Sequence, residues 1–320
     1  MRNIACSVFV ALCIVASGAH AQSYPARPIH LVVAIPPGGA PDIAARIVAE
    51  RLSQTMGQAF VVDNKPGANG NIAAEFVAKA PPDGYTLLLG QDSIFVINPY
   101  LYKKMPVDVR HALVPVSPVA TNAFVLAINP SVPAKTFQEF IEIARKSNPP
   151  LTYASGGNGS QHHLMMEMLK QRAGIELMHV PYKGGAPATT ATLAGETQVM
   201  FSGTSVSPQV KAGKLRAIAS SGAKRSEAFP DVPAIGEFYP GYDATIWLGL
   251  FAPAGTPEPI MDRLRAEVGM ALASPEVRQK LNTAGGLQPL ALKPPEFAAL
   301  IESDSAKYGK MVRELGITLD

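Results

Sequence analysis

Short apolar segments alternate along the chain with glycine- and proline-containing loops and with segments whose apolar residues have helical spacing. Residues 28–35 (PIHLVVAI) form a nearly continuous apolar run, which is typical of a strand covered on both faces. A loop follows, and residues 42–56 place Ile43, Ile47 and Leu52 on one helical face. This order of strand, loop and helix is the first unit of an α/β fold.

The same order repeats through the rest of the chain. Further strands are predicted at residues 59–63, 85–89, 124–128, 151–154, 177–180, 199–201, 215–219 and 245–251. Helices are predicted from the turn at 64–70 through Ala80, after Pro187, and at 136–146, 161–172, 257–272, 275–283 and 294–315. Thr136 and Glu139 have the spacing of a capping box. Because helices join the first three strands, these strands predict a right-handed, parallel, doubly wound sheet.

The length of the chain predicts two lobes, since 320 residues are too many for one comfortable core. Three helices follow the last predicted strand, too many to belong to a middle lobe. We therefore assign residues 23–122 plus 222–320 to lobe one and the inserted residues 123–221 to lobe two. The chain would then cross between lobes twice, near 121–122 and near 220–222, which predicts a hinge and a ligand cleft.

A secretory signal is predicted at residues 1–21. Arg2 precedes an uncharged run at 4–18, and Ala19 and Ala21 have the spacing that signal peptidase recognises. The run is shorter than the ~20 apolar residues of a spanning helix, so a membrane anchor is disfavoured. A lipid anchor on Cys13 is disfavoured too, because the preceding residues fit a lipoprotein site poorly. We expect export to the periplasm with cleavage after Ala21.

Charge and cysteine content exclude several classes of function. Both cysteines, Cys6 and Cys13, lie within the predicted signal, so the remaining chain has no disulfide, thiolate nucleophile or cysteine metal site. A net charge of +3 argues against nucleic-acid binding, which needs clustered cations. No cofactor or metal site is predicted.

The first of three glycine-containing loops, residues 36–42, follows the first predicted strand. Loops at the carboxyl ends of such strands are where open α/β sheets bind ligands. Gly38 and Gly39 allow the backbone to approach a ligand, and the next helix offers unpaired N–H groups to an anion. Asp42 is predicted to cap that helix. An ordinary strand–helix turn is the alternative interpretation.

The other two loops repeat this arrangement at 155–160 and 182–187. The second combines two hydroxyls and an amide with three glycines, as an anion cradle would, and lacks the nucleotide P-loop pattern. The third offers a phenol and a cation, although an exposed lysine with no ligand is equally compatible with the sequence. The candidate ligand-binding residues are Ser155, Asn158 and Ser160 in the second loop and Tyr182, Lys183, Gly184 and Gly185 in the third.

Histidines raise the alternatives of a metal site and of a hydrolase. His162 and His163 are adjacent, so on a helix they point about 100° apart and cannot form the i, i+4 pair of a zinc helix. An exported hydrolase would need Ser155 or Ser160 with His163, but the sequence contains no G-x-S-x-G elbow. Packing and hydrogen bonding are therefore the predicted roles of these histidines.

Seven ordered blocks resemble the substrate-binding proteins of the tripartite tricarboxylate transporters, the Bug family. They include PPGGAPD within 24–46, YASGGNGSQHHL at 153–164 and HVPYKGGAPA at 179–188, with the others at 61–74, 82–90, 98–108 and 211–226. The resemblance implies a type II periplasmic-binding-protein fold and a carboxylate held by the first and third loops. The matching positions are Gly38, Gly39, Asp42, Ser93, Ser155, Ser160, Lys183, Gly184 and Gly185. Pro41, Asn69, Ala73 and Ser202 depart from the family pattern.

The expected function is therefore that of a non-enzymatic, monomeric binding protein that delivers a small carboxylate to membrane permease subunits. A periplasmic sensor of the same ligand is the alternative, since a binding fold alone does not separate transport from sensing. Ser202 stands where relatives often have an aspartate that could pair with an ammonium group. Of the nearby acids, only Asp92 could replace it, so we expect a ligand without an amino group.

Overall fold

The computed structural model describes residues 24–319, which form two α/β lobes built on separate sheets. The predicted signal, its cleavage site and both cysteines lie outside the described residues. The strands are β1 (Ile29–Val33), β2 (Phe60–Asn64), β3 (Thr86–Gln91), β4 (Leu113–Asn122), β5 (Val125–Ile128), β6 (Thr152–Ser155), β7 (Met178–Pro181), β8 (Val199–Ser202), β9 (Arg216–Ser220), β10 (Ile246–Pro253) and β11 (Gln288–Pro289).

The described α-helices cover the faces of the two sheets. They are α1 (Ala40–Met56), α2 (Asn71–Ala78), α3 (Asp92–Val96), α4 (Asn98–Leu101), α5 (Val109–Ala112), α6 (Phe137–Lys146), α7 (Gln161–Ala173), α8 (Gly185–Ala194), α9 (Ser207–Lys211), α10 (Glu258–Ala273), α11 (Pro275–Gly285) and α12 (Pro294–Leu315). The capping box predicted at Thr136 and Glu139 is present at the start of α6. Within residues 24–319, no helix has the length and apolar character needed to cross a bilayer.

The sheet of lobe one has the strand order β11-β4-β10-β3-β1-β2. The prediction of parallel pairing is confirmed for β1, β2 and β3. The rest of the sheet is mixed, because β10 is antiparallel to both β3 and β4. Strand β4 was not predicted, since it contains Pro115 and Pro118, which cannot donate to a ladder. Both prolines are tolerated because β11 pairs only with Ala120 and Thr121, which leaves this part of β4 at the sheet edge.

The sheet of lobe two has the order β7-β6-β8-β5-β9. Strand β6 is parallel to β7 and β8, whereas β5 is antiparallel to β8 and β9. A core of buried residues fills the space between this sheet and its helices, with Tyr153, Phe137 and Phe201 at its centre. Lobe two is thus a mixed sheet as well.

The lobe boundaries remain a proposal, and the packing favours one change to them. The chain passes from β4 to β5 at residues 123–124, next to the proposed crossing near 121–122. After β9, however, Ile235, Tyr242 and Ala244 join the buried cluster of lobe two together with Phe137. We therefore propose that the second crossing lies near Ile246 and that residues 222–244 pack with lobe two.

The C-terminal helices complete lobe one. Met261 and Leu264 of α10 and Leu281 of α11 share a buried cluster with Ala44 and Val48 of α1. On the other face of the sheet, α12 packs beside α3 and β10, where Phe297 contacts Trp247 edge to face at 5.2 Å between ring centroids. These contacts rigidly support the strands whose ends carry the candidate site.

Candidate functional site

The carboxyl ends of the parallel strands in both lobes face one cleft. In lobe one this edge carries the ends of β1, β3 and β4, and in lobe two it carries the ends of β6, β7 and β8. The two edges touch where the Gln161 amide donates a hydrogen bond to Asp92 Oδ1. Beside this bond, Leu164 of lobe two is buried in one cluster with Ile94 and Leu101 of lobe one. All three glycine-containing loops therefore lie at the cleft.

The first loop is held by Asp42, but not as predicted. The N-cap of α1 is Gly39, so Asp42 lies in the first helical turn and is not the capping residue. Its Oδ2 accepts hydrogen bonds from the Gly38 amide at 2.9 Å and from Arg46 Nε at 3.1 Å. Its Oδ1 accepts one from Asn64 Nδ2 at 2.9 Å. Burial alone would raise the pKa of Asp42, but these bonds outweigh it and lower the pKa below its ordinary value.

No side chain caps the N-terminus of α1, and this leaves backbone groups for a ligand. Gly39 accepts the first intrahelical bond, from the amide of Ile43, and has no side chain to satisfy the first-turn N–H groups. A helix start of this kind attracts anions through its unpaired N–H groups and its dipole. Gly38 has φ +91°, which favours glycine over any L-residue at this turn.

In the second loop, the two predicted hydroxyls are used within the protein. Ser155 is fully buried, its Oγ lies 2.6 Å from His179 Nε2, and it accepts a hydrogen bond from the Gly157 amide at 3.0 Å. Ser160 is the N-cap of α7, and its Oγ accepts the amide of His163 at 3.4 Å. These serines shape the loop, while the exposed Asn158 faces solvent.

A pair of stacked imidazoles supports this loop and was not predicted from the sequence. The rings of His163 and His179 are 4.1 Å apart and nearly parallel, and the ring of Tyr153 stacks on His179 at 4.7 Å between centroids. His163 Nδ1 accepts a hydrogen bond from the Gly159 amide at 3.0 Å, which requires that nitrogen to be unprotonated. Burial, and next the neighbouring His163, lowers the pKa of His179 to about 4.

This pair makes the fold sensitive to acid. The unfolded chain binds a proton at His179 below about pH 6.5, whereas the folded protein does so only near pH 4. Stability should therefore fall as the pH falls through this window, and thermal denaturation in buffers across it measures the loss. The substitution His179→Gln keeps a hydrogen-bonding group that does not titrate. We expect the melting temperature of this variant to fall a few degrees less on acidification than that of the wild type. The exposed His111 provides a control, and a His179→Gln curve as steep as that of His111→Gln would contradict the account.

The third loop joins the second and presents another uncapped helix. The Gly184 amide donates to the Gly156 carbonyl at 3.2 Å, which ties the two loops together. Gly184 has φ +110° and is the N-cap of α8, again without a side-chain cap. Gly185 begins the helix, and a Cβ there would lie 3.1 Å from the ring of His162. A second anion-attracting helix start thus lies on the lobe opposite α1.

The two polar side chains of the third loop lie at its outer side. The Tyr182 hydroxyl donates to Glu196 Oε2 at 3.4 Å, so its hydrogen bond is directed within lobe two. Lys183 is exposed, which suits a long-range attraction for anions. The geometry thus favours the backbone of this loop over its side chains as the source of close ligand contacts.

Asp92 and Ser93 follow β3 at the centre of the interface between the lobes. Asp92 is fully buried, and its Oδ1 accepts bonds from the Ser93 amide at 2.7 Å and from Gln161. Burial, and next the carboxylate of Asp304, raises the pKa of Asp92 to about 8. The hydroxyl of Ser93, also buried, lies 3.5 Å from Gln91 Nε2. The sequence indicated Ser93 and Asp92, but not the Gln161 partner.

Two buried neutral polar residues, Ser202 and Asn122, lie on the hinge side of the cleft. Ser202 ends β8 and is 3% exposed, and the Asn122 side chain, at the end of β4, lies close to Gly203. Asn122 Oδ1 is buried without a hydrogen-bond partner. A cavity of about 260 Å³ lies beside the crossings and is lined by Thr121, Ala123, Ala223, Lys224, Arg225, Ser226, Asp243, Thr245, Gly286 and Gln288.

The arrangement does not fit a hydrolase. Ser155 contacts His179 and not His163, and it is 0% exposed, so no substrate reaches its hydroxyl. Glu167 accepts hydrogen bonds from Tyr153 and Lys170, and its other near neighbour is His163 Nε2 at 4.0 Å rather than His179. Among residues 24–319, no group of three histidines and acids is placed to hold a metal ion.

Comparison with known proteins agrees with a binding role. The family model described as the tripartite tricarboxylate transporter family receptor matches residues 44–317. BugT of Bordetella pertussis is 34% identical over 315 residues, covering 98% of this chain and 96% of BugT. A solved R. palustris protein with adipate is 34% identical with a TM-score of 0.84, covering 92% of this chain and 99% of that one. MatC from Rhodopseudomonas palustris, with bound malate, is 29% identical with a TM-score of 0.78, covering 90% and 100%.

These proteins are receptors and solute-binding proteins rather than enzymes, and similar solved structures include periplasmic ones. Their close structural match confirms the predicted two-lobed, type II periplasmic-binding fold.

Proposed function

The chain belongs to the tripartite tricarboxylate transporter receptor family, and we propose that it binds a small dicarboxylate between its lobes and delivers it to a membrane transporter. One observation carries this proposal: each lobe contributes an uncapped helix N-terminus, α1 from lobe one and α8 from lobe two, to the same cleft. Closure of the lobes would bring both helix starts to a ligand that carries an anion at each end. The protein acts as a monomer, without a cofactor.

The solved relatives support the choice of a dicarboxylate. Adipate and malate, the acids present in the two R. palustris structures, each carry two carboxylate groups. One carboxylate would take the first-turn amides at Gly39 and Ala40, and the other those at Gly185 and Ala186. Charge-assisted bonds to backbone amides contribute more than neutral ones, and amides already fixed by a helix lose little entropy on binding.

The acids near the cleft do not provide a partner for an ammonium group. Both oxygens of Asp42 are used by Gly38, Arg46 and Asn64. Asp92 is buried, its raised pKa favours the neutral acid near pH 7, and Ser202 carries no charge. An amino-acid ligand would bury an unpaired cation, which is costly.

Matched pairs of acids test the ligand class. We expect adipate and succinate to raise the melting temperature clearly and to bind at least about tenfold more tightly than 2-aminoadipate and aspartate, because about 1.4 kcal/mol of uncompensated ammonium burial suffices for that factor. A thermal-shift screen followed by calorimetry measures both. Tighter binding of the amino acids would contradict the proposal and would direct attention to Asp92 as an ionised partner.

Export is the second part of the proposal. The signal pattern and the periplasmic relatives support a periplasmic protein that begins at Gln22. Intact-mass measurement of protein from a periplasmic extract should give the mass of residues 22–320. A species that retains Met1, or that carries lipid on Cys13, would contradict this processing.

A further inference from the structure

A buried cluster of acids lies where the two lobes touch. Asp92 from α3 and Asp304 from α12 are 0% and 7% exposed, and both belong to lobe one. Gln161, the first residue of α7, reaches Asp92 from lobe two. Because the two residues are 69 positions apart and on different lobes, their hydrogen bond exists only while the lobes are together.

The hydrogen bonds divide unequally between the two carboxyl groups. Asp304 Oδ2 accepts the indole N–H of Trp247 at 2.9 Å, and its Oδ1 accepts the Lys307 ammonium at 2.8 Å. Asp92 Oδ1 accepts only neutral donors, the Ser93 amide and the Gln161 amide group. Asp92 Oδ2 is buried with no partner at all. A cation thus contacts Asp304 and none contacts Asp92, so the burial of Asp92 is not offset by an ion pair.

The charged and titratable groups that face Asp92 all come from α12. Helix α12 contributes Asp304, Lys307 and the phenol of Tyr308, whose own pKa is raised by burial and by these acids. Strand β10 contributes the neutral Trp247, and α7 contributes the neutral Gln161. Two buried carboxyl groups thus share the single ammonium of Lys307, which is bound to Asp304. Like charges so placed cannot both ionise cheaply.

We propose that Asp92 and Gln161 form a latch that holds the lobes together while Asp92 is protonated, so that closure takes up one proton. When the lobes separate, Gln161 and Leu164 leave and water reaches Asp92, whose pKa then falls towards the ordinary value of about 3.9. In the closed protein, the pKa of Asp92 is raised to about 8. Between these values the closed form binds one more proton than the open form.

The sign of the pH dependence follows from this difference. Over the window from about pH 4 to about pH 8, the ratio of closed to open protein should fall by up to about tenfold for each unit that the pH rises, and it should level off above that window. If the proposed function holds, the affinity for the carboxylate falls in the same way. The receptor would then bind its anion together with a proton.

Distance measurements on the ligand-free protein test the latch. Spin labels on Met178→Cys in lobe two and Met270→Cys in lobe one, both exposed positions, report the separation of the lobes. Both native cysteines, Cys6 and Cys13, precede Gln22, so protein of residues 22–320 has no other cysteine that takes a label. We expect the longer distance to gain population between about pH 6 and about pH 8 in the wild type, over the window set by the linkage.

Two variants separate the latch from a general effect of pH. Asp92→Asn mimics the protonated acid and should keep the shorter distance at every pH, whereas Gln161→Ala should favour the longer distance throughout. A pH-independent distance in the wild type, or an Asp92→Asn protein that opens as the wild type does, would overturn the proposal. Since no ligand is added, this result is independent of whether a dicarboxylate is the natural ligand.

Discussion

Substitution of Gly39 or Gly185 by valine is expected to weaken ligand binding about 100-fold while leaving the fold intact. Each residue stands at the start of an uncapped helix, where the backbone must approach a carboxylate closely. Loss of a pair of charge-assisted bonds costs about 3 kcal/mol, which is about a 100-fold loss of affinity. Gly39 does not have a positive φ, and neither does Gly185, so valine brings no left-handed strain.

The neighbours of these positions can give way. A Cβ at Gly39 would meet the end of the Ile35 side chain, and one at Gly185 would meet the ring of His162, which is also a side chain. Calorimetry with the tightest acid measures the affinity, and circular dichroism checks the fold. Gly269→Val is the matched control, because Gly269 lies in α10 with no atom within 4 Å of its added Cβ. Unchanged affinity in either test variant would remove that loop from the site.

Alanine at Gly286 is expected to hold the lobes apart. Gly286, at the end of α11 in lobe one, faces Thr204 of lobe two, and a Cβ there would overlap the Thr204 side chain. Gly159 is the counterpart in lobe two, where a Cβ would overlap the side chain of Leu101. An added methyl group at either contact would keep the lobes apart. Since the ligand binds between the lobes, this lowers the affinity for the ligand without a contact to the ligand itself. We expect a loss of at least about tenfold for each variant.

Backbone strain must be separated from the effect of the added methyl group. Gly286 has φ +58°, so alanine there also costs stability. Gly174 has φ +60° with no atom within 4 Å of an added Cβ, so Gly174→Ala carries the same strain without a contact between lobes. Calorimetry and thermal denaturation of both variants distinguish the effects. If Gly286→Ala lost no more affinity than Gly174→Ala, the lobes would not need to meet at Thr204.

Local sequence patterns predicted most of the elements and the three loops. Apolar runs, helical spacing and the capping box depend on residues close in the chain, and the structure has helices and strands at those places. Strand β4 was not predicted, because Pro115 and Pro118 argue against a central strand. The structure tolerates both prolines because this part of β4 lies at the sheet edge. The antiparallel direction of β10 was not predicted, because an apolar run does not specify the direction of the strand relative to its neighbours.

The support of the site could not be predicted, because it depends on contacts between distant segments. The stacked pair of His163 and His179 and the bond from Gln161 to Asp92 each join residues that no local pattern links. Asp42 was predicted as a cap because its type suits that role. The helix begins two residues earlier, at Ala40. Asp42 instead stabilises the loop, and a hydrogen bond from Asn64 of β2 holds its carboxylate in place.

A crystal structure of the protein grown with its tightest dicarboxylate tests the central claim most directly. The account predicts one carboxylate within about 2.7–3.2 Å of the first-turn amides of α1 and the other at the same distance from those of α8. It also predicts that the acid lies between the lobes. An acid bound in the cavity beside the hinge, or held by side chains with neither helix start in contact, would contradict it.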